Sequence, residues 1–103
     1  CLALGADAVA LATASMIAVG CQQYRICNTN KCPVGIATQD PELRKRFDVE
    51  KSTQRYVNFA TGTARELEVL ARINGRNDVH DLSVDDLVTL DHEIATYTDI
   101  EHA

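Results

Sequence analysis

The sequence predicts an α/β chain whose second half is mostly helical. Three patterns carry that expectation: a short apolar run between two helical segments in residues 1–20, an aperiodic stretch at 21–39, and apolar residues at 3,4,3,4 spacing between Val49 and Ile73. The 103 residues are 46% hydrophobic and 24% charged, a globular balance sufficient for one small core. The opening "CLALGADAVALATASMIAVGC" has no initiator Met and starts inside an apolar pattern, which predicts a piece of a longer protein.

In "LALGADAVALATASMIAVG", Gly5 is placed to stop a first helix and Ala8 to Ala12 read as a short strand. Thr13 is placed to cap a helix from Ala14 to Gly20. A continuous apolar strand of this kind is usually buried on both faces of a parallel sheet, so its neighbours are expected upstream. Residues 21–39 exchange periodicity for Asn, Thr, Lys, Pro and Gly, the composition of a long functional loop. Helix resumes at "DPELRKRF", with Asp40 as N-cap and Pro41 at the first helical position, where its missing N–H costs nothing.

The longest helix is predicted from Val49 to Ile73, with Val57, Ala60, Ala64, Leu67 and Ala71 forming one apolar stripe and Asn74-Gly75 ending it. Gly62 falls inside this pattern and argues against one unbroken helix. Ser83 and Asp86 form a capping-box variant before a short helix through Leu90, and the tail from His92 shows no clear pattern.

The net charge of −5 argues against binding nucleic acid or an anionic membrane, since phosphate binding needs a clustered positive face. Arg44, Lys45 and Arg46 read as solvated charge near a helix end. Residues 1–21 contain Asp7, two glycines and many alanines, so neither a signal peptide nor a membrane span is expected, and the cytoplasm is the default location. His80, His92 and His102 have no metal-type spacing, and Asp85-Asp86 suits the first turn of a helix, so no catalytic residue is assigned.

Chemistry concentrates in "CQQYRICNTNKCPVG", where Cys21, Cys27 and Cys32 are spaced x5 and x4 and Pro33 follows the last. Iron–sulfur clusters are held by thiolates on irregular loops, because several sulfurs must converge on one inorganic core. Three thiolates suit a three-iron cluster, and Gly35 would let the chain turn closely round it. Structural zinc is an alternative, with a fourth ligand drawn from Cys1 or a histidine, as are disulfides or free thiols. Arg25 and Lys31 flank the cysteines and fit either a role in moderating the charge of a cluster or a plain surface role. Separately, Thr13, Ala14 and Ser15 open a helix directly after the expected strand, where free N–H groups favour an anion, although a capped, Ala-rich helix with no ligand is the commoner case.

The run "MIAVGCQQYRICNTNKCPVGIATQDPELRKRF" resembles the segment of glutamate synthases that follows their flavin barrel, where a "GC-x5-C-x4-CP-x-G-[IV]-A-T-Q" motif holds a three-iron, four-sulfur cluster. The likeness extends upstream through "LGADAV" and downstream through "VNFATGTARELEVLARINGRNDVHDLSVDDL", and is strongest to archaeal-type and related bacterial FMN-binding synthases.

The resemblance implies that residues 1–20 are the last βα unit of a (β/α)8 TIM barrel, that 21–39 form the iron–sulfur cluster loop and that 40–103 are a helical extension. It implies Cys21, Cys27 and Cys32 as ligands of the 3Fe-4S cluster, with Cys1 a small core residue. It also sets Ala12, Thr13 and Ala14 beside the FMN phosphate, with Ala12 where the family carries glycine. The implied reaction makes glutamate: electrons from NADPH or ferredoxin pass through clusters to FMN, which reduces the 2-iminoglutarate formed from 2-oxoglutarate and glutamine-derived ammonia. The implied partners are the rest of the synthase chain, the electron donor and a glutaminase subunit or domain.

Overall fold

The computed structural model describes residues 1–103 and divides into two compact units, Leu11–Gly62 and Cys1–Ala10 with Thr63–Ala103. One element, α3, runs through both as an unbroken helix from Val49 to Ile73. Gly62 does not interrupt it, because the loss of roughly 1 kcal/mol that glycine brings to a helix interior is small beside the cooperativity of 25 residues.

The unit Leu11–Gly62 starts with α1 (Thr13–Ala18), continues through the cysteine loop to α2 (Pro41–Arg44), and ends in the first half of α3. Residues 8–12, expected as a strand, make no β pairing here: a strand requires a partner, and this segment meets none. The cap of α1 also differs from expectation. Thr13 is the first helical residue and Ala12 occupies the cap position, with no side-chain hydrogen bond. Asp40 fulfils its expected role, its Oδ1 accepting from the N–H groups of Glu42 at 2.8 Å and Leu43 at 3.2 Å. Asp48 does the same for α3, accepting from the Lys51 N–H at 3.0 Å.

Three glycines end helical turns in one way. At Gly20, Cys21 N donates to Met16 O and Gly20 N to Ile17 O, each at 2.9 Å, with Gly20 at φ 110°. The same paired bonds recur at Gly75 after α3 and at Gly5 after the turn formed by residues 1–4. This is the Schellman arrangement, in which a left-handed residue lets the chain fold back onto the last carbonyls.

In the unit that holds the C-terminal residues, α3 is followed by 3-10 turns at Val79–Asp81 and Val84–Asp86. The helix expected through Leu90 therefore stops after one turn. Asp86 bonds back to the Ser83 N–H at 2.9 Å and is gripped by Arg76, while Val88 and Thr89 leave as a strand. That strand, β1 (Val88–Thr89), pairs in parallel with β2 (Glu101–His102), Val88 opposite Glu101 and Thr89 opposite His102. Between them α4 (His92–Tyr97) is capped by Asp91, a pattern the sequence reading of the tail did not find. The rings of His92 and His102 stack at 4.1 Å.

Buried apolar residues are few, chiefly Cys32 and Ala71. The predicted stripe of α3 is covered only at Ala71, whereas Val57 and Leu67 stand open. Cys1, expected in the core, is exposed, since no element of its unit covers the turn that carries it. No helix is long and apolar enough to cross a membrane.

Candidate functional site

The cysteine loop leaves α1 at Gly20 and returns to α2 at Asp40, with one 3-10 turn, Cys27–Thr29, as its only regular structure. Its sharp course needs left-handed backbone at Gln23, Arg25 and Asn30 as well as at Gly20 and Gly35. Two side chains hold the return. The Asn30 side-chain oxygen accepts the Gln39 N–H, and the Asn30 carbonyl accepts the Thr38 hydroxyl at 2.7 Å. Thr38 is buried, and its Oγ1 in turn accepts the Asp40 N–H at 3.1 Å, which joins the loop to the cap of α2. Arg46 reaches back thirteen positions to donate to the Pro33 carbonyl at 3.1 Å, so it does more than carry solvated charge.

All four cysteines are free thiols, and the three of the loop differ in environment. Cys27 is exposed at the start of its 3-10 turn, and Cys21 is half-buried with its Sγ accepting the Gln23 N–H at 3.4 Å. Cys32 is buried at the start of the Cys32-Pro33-Val34-Gly35 turn, closed by Gly35 N donating to Cys32 O at 3.1 Å. The Ala37 backbone N–H most, and those of Val34, Ile36 and Gly35 less, favour the charged form, so the thiol is held below its ordinary value although burial opposes this.

Gly35 also has a packing duty. Its φ is 82°, and a Cβ there would meet Leu43 O at 2.5 Å and Phe47 at 3.1 Å, so the close approach is to the end of α2.

No three His, Cys, Asp or Glu side chains gather closely enough to hold a single metal ion. Tetrahedral zinc needs its sulfurs within about 4 Å of one another, so a mononuclear site is not assembled. A polynuclear cluster makes another demand: each thiolate takes its own iron, so the sulfurs stand further apart, on irregular backbone with amide groups directed at them. The loop offers three free thiols on irregular backbone with several left-handed residues, and an amide at the Cys21 sulfur.

Ala12, Thr13 and Ala14 are exposed at the start of α1, where backbone N–H groups have no intrahelical acceptor. They can lend donors to an anion. They do not make a phosphate cradle by themselves, because the first turn, "TASM", carries no cation and the helix is six residues long. The loop-holding roles of Asn30 and Thr38 were not read from sequence, and Arg46 was read only as solvated charge; an Asn among cysteines, suited to left-handed backbone, was the available signal.

Comparison with known proteins agrees with the motif. The family described as "Conserved region in glutamate synthase" matches residues 1–77. The chain is 36% identical to a glutamate synthase large subunit-like protein of Rhizobium meliloti, over 96% of this chain and 26% of that protein. It is 43% identical to the archaeal glutamate synthase [NADPH] of Methanocaldococcus jannaschii, over 79% of this chain and 16% of that one. With the ferredoxin-dependent glutamate synthase of Pyropia yezoensis it shares 41% identity over 94% of this chain and 6% of the relative. The chain thus spans about a quarter or less of each of these relatives. No solved structure matches. A family match over residues 1–77, which include all three loop cysteines, establishes that the chain belongs to the glutamate synthase family.

Proposed function

We propose that this chain is the segment of a glutamate synthase that closes the FMN-binding (β/α)8 barrel and carries a 3Fe-4S cluster on Cys21, Cys27 and Cys32. The parent enzyme is then an oxidoreductase that makes L-glutamate from 2-oxoglutarate and glutamine-derived ammonia, with NADPH or ferredoxin as donor and a glutaminase domain or subunit as partner. The cluster, when bound, supplies one-electron transfer between donor and flavin.

The observation that carries this reading is the loop itself: three free thiols on one irregular segment. Nearby backbone amides, that of Ala37 first, lower the Cys32 thiol below its ordinary value, and Cys21 has an amide at its sulfur. Asn30, Thr38 and Arg46 keep the loop from splaying. Ala12, Thr13 and Ala14 contribute at most backbone N–H groups to the FMN phosphate, with the remainder of that site on the parent chain. Exposed Leu4, Val9, Leu11, Met16 and Ile17 support a chain that packs against further barrel elements. A cytoplasmic setting suits thiols that must stay reduced.

Anaerobic iron, acid-labile sulfide and zinc analysis of the full-length protein, with electron paramagnetic resonance of the oxidised form, tests the proposal. Iron and sulfide with a three-iron signal, lost in Cys27→Ala and kept in Cys1→Ala, are expected. Zinc without sulfide would overturn it.

A further inference from the structure

We infer that a recess of about 380 Å³ beside the cysteine loop, within the unit Leu11–Gly62, is a binding site for a small multivalent oxyanion. The inference uses neither the cluster nor FMN. The recess has the size of a small-molecule pocket, and its walls carry Arg46, Lys51 and Arg55 against a single carboxylate, Asp48. Three cations and one anion leave a local charge of +2 in a chain whose net charge is −5.

None of these cations is neutralised within the fold. The four ion pairs of the structure involve Lys45, Arg72, Arg76 and His80, and none involves the cations of the recess. Asp48 is already engaged in capping α3 through the Lys51 N–H. Lys51 and Arg55 stand four residues apart on one face of α3, a spacing at which like charges repel and destabilise the helix. Arg46 adds a third cation to the same recess, with one guanidinium nitrogen on the Pro33 carbonyl and other donors free.

Ser52 also lines the recess and is 6% exposed. An oxyanion seated there would accept from the three cations and relieve the repulsion between them. Phosphates and dicarboxylates share the required chemistry: several oxygens and at least two negative charges on a compact body.

Isothermal titration calorimetry of the full-length protein with inorganic pyrophosphate, and separately with succinate, tests the site and distinguishes the two sources. Saturable binding of either anion is expected, the tighter one naming the class. Lys51→Ser with Arg55→Ser should weaken it about tenfold or more, whereas Lys51→Arg should retain it. Should the double variant fail to fold, Arg55→Gln alone, nearly the length of the native side chain, must weaken binding in the same direction. Lys45→Ser removes a cation outside the recess and should change nothing. The inference is overturned if neither anion binds saturably, if the recess variants bind as tightly as the native protein, or if Lys45→Ser weakens binding as much as they do.

Discussion

Gly35 lies so near the end of α2 that a Cβ on it would stand 2.5 Å from the Leu43 carbonyl oxygen. Backbone is the obstacle, so no side-chain rotation relieves it, and φ 82° adds a conformation that alanine resists. Gly35→Ala should therefore cost about 2–4 kcal/mol, combining left-handed strain with overpacking. Because the displaced turn is the one that surrounds Cys32, the variant should also lose iron. Denaturant unfolding and iron content of the full-length variant check this; an unchanged midpoint with full iron would show that the turn has another way to close.

The elements that were legible in the sequence are those fixed by local chemistry. Asp40-Pro41 marked the start of α2, Gly75 the end of α3, and the 3,4 periodicity its course, because each signal acts within a turn or two, whereas the helix expected before Gly5 is a single turn. Ala8–Ala12 make no β pairing within this chain, because a strand needs a neighbour and the expected neighbours lie upstream. The helix expected through Leu90 was cut short by Arg76, ten residues from its Asp86 partner, a distance no local rule spans. At the candidate site the spacing of the thiols was readable. The amides round Cys32 and the reach of Arg46 were not, since both depend on how the loop folds back.

Asn30 combines left-handed backbone, at φ 62°, with a side-chain bond to the Gln39 amide. Asn30→Ala loses both advantages and should cost about 2–3 kcal/mol, whereas Asn30→Gly keeps the backbone freedom and should cost about 1 kcal/mol. Hydrogen exchange of the Gln39 amide separates the contributions, with faster exchange expected in both variants and the larger change in alanine. Equal exchange in native and variant proteins would show that the Asn30 bond does not protect the loop.

His80 is held between the Asp7 carbonyl and the Asp78 carboxylate, each 3.1 Å from a different ring nitrogen. Both contacts accept protons, so the imidazolium satisfies both while a neutral ring satisfies one. The Asp7 carbonyl and then the Asp78 carboxylate raise the His80 pKa above its ordinary 6.5. A raised folded value means that this stabilisation is complete below pH 6.5 and is lost as pH climbs through the folded pKa. Nuclear magnetic resonance titration of the His80 ring should give a midpoint above 6.5, and His80→Gln should narrow its stability deficit at high pH. A midpoint at or below 6.5 would mean the Asp7 contact is not made in solution.

Asp86 receives two guanidinium nitrogens of Arg76, at 3.2 and 3.1 Å, and the Ser83 N–H at 2.9 Å. Its side chain is only 10% exposed, so the pair is shielded from much of the screening that weakens surface ion pairs. The Ser83 amide is the larger cause and Arg76 the next in holding the Asp86 carboxyl below its ordinary 3.8. A lowered value gives stability that is present above pH 3.8 and disappears as pH falls through the folded pKa. Arg76→Met keeps much of the aliphatic bulk and removes the charge, so the Asp86 carboxyl should rise only part of the way to 3.8, the Ser83 bond still holding it down. Carbon-13 titration of that carboxyl measures the difference directly. A complete return to 3.8 would assign the whole effect to Arg76 and leave the Ser83 amide with no part in holding the carboxyl down.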